Sequence, residues 1–389
     1  MASWMQISVG DLGDLFDGPH ATPERTSDGP YFLNIASLKS GRLDLSESDH
    51  LNRQDFKVWT RRVTPRCDDL LFSYETRLGE AALMPAGVEA CLGRRMALLR
   101  PNPAVVNPRF LLYFYLSPVF QRTIAKHTVH GATVPRIGLS TMPGWSVKLP
   151  GLTEQRAIAE VLGALDDKIA ANERVVSLCD VLAKTHFEAA TSEQRARRLP
   201  LSSLARFING RAFTKAATGS GRVVIRIAEL NSGIGASTVY NDIDVAEDNL
   251  ARPGDLLFAW SGSLTVARWF RPEAIVNQHI FKVVPVAGVA IWLINQALRA
   301  KLADFRSIAA NKATTMGHIQ RRHLDELVRV PAPGEVARLD GLMSSLWVRA
   351  LAAEVETLQL AATRDELLPL LMSGRLHVKD AEKVVAEVV

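Results

Sequence analysis

The stretch LPGLTEQRAIAEVLGALDDKIAAN, residues 149–172, carries the strongest structural signal in this chain. It predicts a long helix that starts at Thr153, because threonine is a favourable N-cap residue and apolar side chains follow at steps of three and four. Polar Asn172 falls in register with this apolar stripe, as one polar residue can in a coiled-coil seam. The stripe comprises Ile158, Val161, Leu162, Leu165, Ile169, Val176, Cys179, Leu182 and Phe187. The pattern therefore predicts a helix of about 38 residues, roughly 57 Å long.

A second stretch, near the end of the chain, predicts a matching helix. It begins at Pro333-Gly334, bends near Pro369 and ends at Ser373-Gly374. Its apolar stripe comprises Val336, Leu339, Leu342, Leu346, Ala350, Ala353, Leu360, Leu367 and Leu371. Two helices of matched length most simply pair with each other as an antiparallel coiled coil, and packing into a compact bundle is the open alternative.

The rest of the chain carries an internal repeat. Three pairs of segments match: DDLLFSY (68–74) with GDLLFAW (254–260), GATVPRI (131–137) with KATTMGH (312–318), and VKLP (147–150) with VRVP (328–331). The first pair is separated by 186 residues and the other two by 181. Each copy mixes short strand-like runs, turns and one helix-like run, which predicts a mixed α/β domain followed by a long helix.

Composition excludes several classes of protein. Of the 389 residues, 47% are hydrophobic and 22% charged, a balance that excludes a disordered chain and a collagen-like repeat. The three cysteines, Cys67, Cys91 and Cys179, are too few and too scattered for a disulfide framework or a zinc knuckle. We recognise no signal peptide and no apolar stretch of bilayer length, so we expect a cytoplasmic protein.

Charge is distributed unevenly along the chain, whose net charge is +5. Residues 1–150 carry a net +3 and residues 199–331 a net +6, whereas 151–198 and 332–389 carry −1 and −3. Basic blocks suit a polyanionic partner, and an ordinary, unevenly charged surface is the open alternative. We predict five parts: two domains (1–150 and 199–331), two helices (151–198 and 332–376) and a tail (377–389).

Motifs for self-contained catalysis are missing. No G-K-[ST] sequence occurs, which excludes a P-loop at the motif level. Asn107-Pro108-Arg109-Phe110 only approaches the N-P-P-Y motif of methyltransferases that act on a base amine, and Gly233-Ile234-Gly235 follows no convincing cofactor strand. His127 and His130 have no companion ligands in the sequence for a metal ion. We therefore expect no catalytic residue, no metal and no cofactor on the chain itself.

The stretch 149–172 resembles the central conserved region of the specificity subunits of type I restriction–modification systems. The residues that carry the resemblance are Leu149-Pro150, Glu154-Gln155-Arg156, Leu165-Asp166-Asp167-Lys168-Ile169 and Asn172, and RDELLPLLMSGRL (364–376) resembles the family's distal repeat. Copy two departs from the pattern, because Glu335-Val336-Ala337 replaces Glu-Gln-Arg. The resemblance implies an α+β fold in which two mixed α/β target-recognition domains are separated by two long antiparallel coiled-coil helices, with a pseudo-two-fold internal repeat.

The same resemblance implies a non-catalytic subunit that binds double-stranded DNA at a bipartite target. The implied partners are two modification (methyltransferase) subunits, which would hold S-adenosylmethionine and methylate adenine, and restriction (translocase/nuclease) subunits. A paired coiled coil would fix the gap between two half-sites. Two alternatives stay open: an autonomous nucleic-acid-modifying enzyme, and a coiled-coil scaffold without a DNA role.

Candidate contacts lie in loops beside the repeat anchors, where Arg and Lys can bind phosphate or guanine and Ser, Thr or His can contact base edges. The candidate DNA-binding residues are Tyr74, Thr76, Arg77, Lys126, Thr133, Arg136, Ser261, Ser263, Lys312, Thr314, Thr315 and His318. Core packing is favoured over base stacking for Tyr74 and Trp260. The resemblance also implies a docking face for the modification subunit, with Asp166, Asp167, Lys168 and Glu173 as candidates. Ordinary solvated positions are the open alternative for these residues.

Overall fold

The computed structural model describes residues 4–19, 21–131, 134–192, 196–215, 217–310 and 317–389. They divide into two units. Unit 1 comprises Met1–Lys168 and Leu360–Val389, and unit 2 comprises Ile169–Gln359. Each unit therefore contains one copy of the sequence repeat together with parts of both long helices.

Two of the described helices are much longer than the others. In chain order they are α1 (Arg53–Trp59), α2 (Pro108–Leu116), α3 (Pro118–His127), α4 (Leu152–Ser192), α5 (Ile227–Ser232), α6 (Ile291–Ala310), α7 (Pro333–Met372) and α8 (Val378–Ala386). Helix α4 has 41 residues and α7 has 40, slightly more than the sequence predicts. Among the described helices, none has the uninterrupted apolar length that a membrane span requires.

A four-stranded sheet is the centre of unit 1. The strands of the unit are β1 (Met5–Ser8), β2 (Gly13–Asp17), β3 (Arg25–Leu33), β4 (Leu38–Lys39), β5 (Arg42–Leu43), β6 (Asp49–Leu51), β7 (Leu70–Ser73), β8 (Ala81–Leu83), β9 (Ala90–Leu92), β10 (Met96–Pro101), β11 (Thr128–Val129), β12 (Arg136–Ile137) and β13 (Ser146–Leu149). The central sheet is antiparallel in the order β2-β10-β7-β8. In a second sheet, β3 pairs antiparallel with β6 and parallel with β9, while β1 pairs with β13.

Unit 2 repeats this plan. Its strands are β14 (Arg197–Pro200), β15 (Ala205–Asn209), β16 (Arg222–Ile225), β17 (Tyr240–Asn241), β18 (Leu250–Ala251), β19 (Leu256–Ala259), β20 (Thr265–Arg268), β21 (Ala274–Val276), β22 (Ile280–Pro285) and β23 (Leu327–Val330). The central sheet has the order β15-β22-β19-β20, β16 is parallel to β21, and β14 pairs with β23. The same pairings in the same chain order confirm the predicted repeat.

The repeat anchors form the most enclosed strands. All four residues of β7, LLFS, are buried, and so are all four of β19, LLFA. Helices cover these strands: the Tyr115 ring of α2 lies 5.4 Å from Phe72, and the Phe305 ring of α6 lies 5.9 Å from Phe258. A continuous apolar run is what a strand enclosed on both faces requires.

Helices α4 and α7 pair antiparallel within each unit, as predicted. In unit 1, Asp166 contacts Arg364 at 2.8 Å, and the first turn of α4 lies beside Ser373 at the far end of α7. In unit 2, the amide of Asn172 donates to Glu356 at 2.8 Å, and Cys179 lies beside residues 343–347. Asn172 is buried, so the polar residue of the stripe does lie in the seam.

The predicted stripes contain two errors. Leu182 of α4 and Leu342 of α7 are 47% and 44% exposed, although their spacing placed them in the seam. A helix of 3.6 residues per turn drifts away from any strict three-and-four pattern over several turns, and both residues have rotated out of the contact.

Candidate nucleic-acid interface

In unit 2, the loop that follows β19 lies against the turn before β22 and against the last segment of the repeat. The backbone N–H of Trp260 donates to the carbonyl of His279 at 3.0 Å, and the N–H of Ile319 donates to the carbonyl of Trp260 at 3.0 Å. Farther along the loop, the Gly262 N–H donates to the Gly317 carbonyl at 2.9 Å. We define this loop junction of unit 2 as Asn209 and residues 260–263, 277–279 and 317–319.

Unit 1 has the same junction, built by the corresponding backbone atoms. The Tyr74 N–H donates to the Arg95 carbonyl at 3.2 Å, and the Ile137 N–H donates to the Tyr74 carbonyl at 2.8 Å. The Thr76 N–H donates to the Pro135 carbonyl at 3.2 Å, in the place of the Gly262 bond of unit 2. The loop junction of unit 1 comprises residues 74–77, 93–95 and 135–137.

The junctions explain why the anchors recur together in the sequence. Residues 68–74 and 131–137 are far apart along the chain, yet their ends meet at one place in unit 1. Both loops pass through the left-handed region at the same step, with φ of 70° at Thr76 and 63° at Gly262. Because these shared contacts use backbone atoms, the side chains at the junction can differ between the two units.

Two of the predicted DNA-binding residues of unit 1 have internal partners. Tyr74 is buried and its hydroxyl donates to the carbonyl of Arg94 at 2.8 Å, and this burial raises the pKa of the tyrosine. Arg77 donates to the carbonyls of Ile35 and Leu38 at 3.1 and 3.3 Å. Both side chains therefore stabilise the loop, and Tyr74 has the packing role that the sequence favoured.

Other predicted residues of unit 1 are exposed. Thr76 and Arg136 lie at the junction itself, and Arg136 belongs to β12, which also bridges to Glu75. Lys126 is exposed near the end of α3, the helix that leads into β11. Thr133 lies outside the described residues. The exposed members of this set are available for contact with a ligand of unit 1.

In unit 2, the predicted residues surround Trp260. Ser261 is buried and forms an isolated β-bridge with His318, whose ring centroid lies 6.3 Å from that of Trp260. Ser263 is exposed. Lys312, Thr314 and Thr315 lie outside the described residues. Ser261 therefore contributes its backbone to the junction, and His318 and Ser263 are the described candidates for a ligand contact.

Sequence reasoning missed part of both junctions: Arg94, Arg95, Asn209, Gln278 and His279. The indole N–H of Trp260 donates to Asn209 at 2.9 Å, and its ring centroid lies 5.2 Å from that of His279. A shift of 184 residues aligns Arg94-Arg95 with Gln278-His279, each pair just before a strand of the central sheet. Extending the repeat alignment to this turn would have found these four residues, whereas Asn209, at the end of β15, carries no such signal.

Asp166, proposed as part of the docking face, is not the exposed carboxylate that we expected. It accepts a hydrogen bond from the Tyr113 hydroxyl at 2.6 Å and from Arg364 at 2.8 Å, and its side chain is 22% exposed. Burial and this neighbouring carboxylate raise the pKa of Tyr113. Asp166 therefore joins α2, α4 and α7 within unit 1.

The other residues of the proposed docking face are more accessible. Asp167 is 70% exposed and binds both terminal nitrogens of Arg109, at 2.7 and 3.1 Å. Gly163 makes room for this arginine, because a Cβ atom there would lie 2.6 Å from its guanidinium carbon. Lys168 is half-buried and Glu173 is exposed. Docking through Asp167, Lys168 and Glu173 stays a prediction.

Unit 2 fastens its domain to the helices through Arg268 of β20. Its side chain is 4% exposed, lies 2.6 Å from Glu354 and 3.7 Å from Asp180, and has the Trp347 ring 4.6 Å away. Burial is the main cause that raises the pKa of Glu354. The domain of unit 2 is thus anchored on both α4 and α7 by a buried ion pair.

The chemistry of both junctions is that of binding. They offer guanidinium, imidazole, amide and hydroxyl groups on loops that backbone hydrogen bonds hold in place. Among the described residues, no three His, Cys, Asp or Glu side chains lie together in a way that could hold a metal ion. Side chains of this kind bind phosphates and base edges.

Comparison with known proteins gives a consistent result. Residues 3–176 match the family described as the type I restriction modification DNA specificity domain. The putative type I restriction enzyme MjaX specificity subunit of Methanocaldococcus jannaschii is 30% identical over 176 residues, which are 41% of this chain and 40% of that protein. The type I restriction enzyme EcoBI specificity subunit of Escherichia coli is 24% identical over 185 residues, 45% of this chain and 39% of that protein.

The chain therefore spans about two fifths of the length of these curated relatives. The type I restriction–modification S subunit of M. genitalium has a similar fold, with a TM-score of 0.61, 17% sequence identity and coverage of 95% of this chain and 96% of that one. These comparisons confirm the resemblance that residues 149–172 indicated and the predicted fold class.

Proposed function

We propose that this chain is a sequence-specific DNA-binding subunit, because residues 3–176 match the type I restriction modification DNA specificity domain. It would bind a bipartite target, with one half-site bound by each unit. The relatives that support this proposal are named specificity subunits of type I restriction enzymes.

One observation carries the proposal: the two loop junctions share their backbone and differ in their side chains. Phosphate contacts position a protein on DNA, whereas base edges are distinguished by the particular donors and acceptors presented to them. A constant framework with variable side chains, such as exposed Arg136 in unit 1 and half-buried His318 in unit 2, suits the recognition of two different short sequences.

We further propose that the chain is itself non-catalytic and works with modification (methyltransferase) and restriction (translocase/nuclease) subunits. S-adenosylmethionine would be held by the modification subunit. The exposed face of α4 in unit 2 supports a partner there, because Leu178 and Val181 are 61% and 56% exposed on one side of the helix. Exposed apolar side chains grouped on a helix are typical of a surface that another helix covers.

Methylation of DNA tests the function directly. The chain, co-expressed with a type I modification subunit from the same organism, should direct adenine methylation to one split sequence in a random DNA library. The modification subunit alone should methylate no defined sequence. Methyl transfer by the pure chain with S-adenosylmethionine would instead favour the autonomous enzyme, and absence of DNA binding by the assembled complex would favour the scaffold.

Docking of the modification subunit is tested separately. Leu178→Ser with Val181→Ser should weaken the complex in size-exclusion chromatography, because this change removes apolar area from the proposed contact. Leu327→Ser is the matched control, since this residue is 55% exposed on β23 rather than on a long helix. Glu173→Lys, compared with Glu173→Gln, tests the charged part of the face. Complexes that persist in all variants would exclude this face.

A further inference from the structure

One pair of corresponding segments departs sharply from the repeat. Residues 53–66, RQDFKVWTRRVTPR, contain five cationic side chains and one aspartate. The shift of 186 residues places residues 239–252, VYNDIDVAEDNLAR, at the corresponding position of unit 2. That segment contains four acidic side chains and one arginine. The two copies are thus opposite in charge at the same place in the plan.

The cations of residues 53–66, which we call the basic segment, are only partly neutralised within unit 1. Arg53 pairs with Glu89 at 2.9 Å, and Arg62 pairs with Asp17. The remaining three, Lys57, Arg61 and Arg66, are exposed and form no ion pair with any residue that the structure describes. An exposed cluster of unpaired cations attracts a polyanion, and the attraction is long-ranged at low salt.

The basic segment adjoins the loop junction of unit 1. A cavity of about 330 Å³ is lined by Trp59, Arg61 and Arg62 of the basic segment together with Gly18 and Leu92. Leu92 immediately precedes residues 93–95 of the junction, and the Gly18 N–H donates to Met96 at 2.9 Å, just after them. The cations therefore lie beside the exposed loops that would contact bases.

A duplex at this junction would present phosphates to the basic segment. The major groove of B-DNA is about 12 Å wide, and phosphates border it on both sides. Loops in the groove thus place neighbouring protein surface against the backbone. In unit 2 the equivalent surface would repel phosphates, since Asp242 and Asp244 are exposed and Glu247 and Asp248 pair with Arg252 and Arg206.

We propose that the basic segment is a phosphate-contacting surface for double-stranded DNA, present in the first recognition domain and absent from the second. The inference rests on the proposed DNA-binding function and assigns different roles in DNA binding to the two units. Unit 1 supplies electrostatic affinity that does not depend on sequence, and unit 2 contributes mainly through contacts at its junction.

The salt dependence of DNA binding by the full chain in its complex with the modification subunit tests this proposal. Binding is measured by fluorescence anisotropy on the duplex that methylation sequencing identifies. The slope of log K against log salt is negative, and each lost phosphate contact makes it shallower by about 0.9. Lys57→Gln, Arg61→Gln and Arg66→Gln together should therefore make the slope shallower by about 2 to 3. The sequence enriched from a random library should stay the same, because phosphate contacts carry no base information.

Two further variants make the test specific. Arg375→Gln, Lys379→Gln and Lys383→Gln remove the same charge from the turn after α7 and from α8 and should leave the slope unchanged. Asp242→Lys with Asp244→Lys adds cations to the corresponding segment of unit 2 and should steepen the slope by about 2. All of these side chains are exposed, and thermal unfolding verifies that each variant is folded.

The outcomes separate this inference from the proposed function. Specific binding by the wild type with an unchanged slope in the Lys57, Arg61 and Arg66 variant would overturn the inference and leave the function standing. An equal effect of the control would overturn it too, because net charge alone would then be the cause. Loss of the modification subunit instead of DNA would assign the surface to a protein partner. A wild-type complex that binds no DNA would overturn both.

Discussion

The two loop junctions have the same backbone hydrogen bonds but different side chains. Unit 1 places Arg94, Arg95 and Arg136 around its loop, whereas unit 2 places Gln278 and His279 beside Trp260. Arginine suits guanine and phosphate, and glutamine suits adenine. The difference would allow one framework to present two sets of base contacts, since the hydrogen bonds that the two junctions share are made by backbone atoms.

Exchange of a whole domain should have the largest effect on the recognised sequence. Replacing residues 199–331 with the corresponding domain of a relative should change one half-site and leave the other and the gap unaltered, because each unit has its own junction. Sequencing of methylated DNA gives both half-sites in one measurement. Exchange of residues 1–150 is the reciprocal control, and a change of both half-sites in either chimera would show joint recognition.

The two units can also be separated without changing either of them. Four residues inserted after Lys168 and four after Gln359, where α4 and α7 pass from one unit to the other, add about 6 Å to each helix. We expect a gap longer by about two base pairs, with both half-sites retained. Altered half-sites with an unchanged gap would contradict the helices' role as a spacer.

The attachments of the two domains to the helices should differ in strength. Arg268→Met leaves Glu354 buried and uncompensated, so unit 2 should lose about 3–5 kcal/mol of unfolding free energy. Arg364→Met removes an arginine that is 23% exposed and whose partner Asp166 keeps the Tyr113 hydroxyl, and should cost about 1–3 kcal/mol. Calorimetry of the two variants measures both losses of unfolding free energy. Equal losses would contradict the prediction that the more buried ion pair contributes more to stability.

Acid should partly rescue the Arg268 variant. Burial raises the pKa of Glu354, so its proton is bound more tightly in the folded state than in the unfolded one, and ionising it costs stability as pH rises. Below the ordinary pKa of a glutamate the carboxyl group is neutral and needs no cationic partner. The deficit of Arg268→Met relative to the wild type should therefore shrink at low pH, and a deficit independent of pH would assign the loss to packing alone.

Substitutions of single side chains at the two junctions should give the smallest effects. Arg136→Ala should weaken binding by about 1–3 kcal/mol and relax the preference at one position of the unit 1 half-site. His318→Ala should relax one position of the other half-site and leave the first unchanged. Enrichment from a random duplex library measures both, each variant being the control for the other. Uniform weakening without relaxed preference would make the residue a phosphate contact.

Features with a local signal were predictable from the sequence. The periodic apolar stripes gave both long helices, and the recurrence of the anchors gave two matching domains. The enclosure of β7 agrees with its short apolar run, Leu70 to Phe72, because a continuous apolar run is what a strand covered on both faces requires. Each of these signals is carried by a short stretch of sequence or by its repetition along the chain.

Contacts between distant residues were not predictable. Asp166 looked like an exposed helix residue because its partners, Tyr113 and Arg364, are 53 and 198 residues away. Arg268 is likewise an unremarkable strand residue until the fold brings Glu354 to it. A single sequence carries no trace of such pairings, and electrostatic roles therefore had the least support before the structure.

The buried contact between Asn172 and Glu356 has a consequence for biosynthesis. These partners are 184 residues apart, and ribosomes add about 5–20 residues each second. The apolar stripe of α4 in unit 2 therefore stays without its partner helix for about 10–40 s while the nascent chain is synthesised. During that interval it is a target for chaperones and for aggregation, so folding of the newly made chain depends on what shields this stripe until α7 has been synthesised.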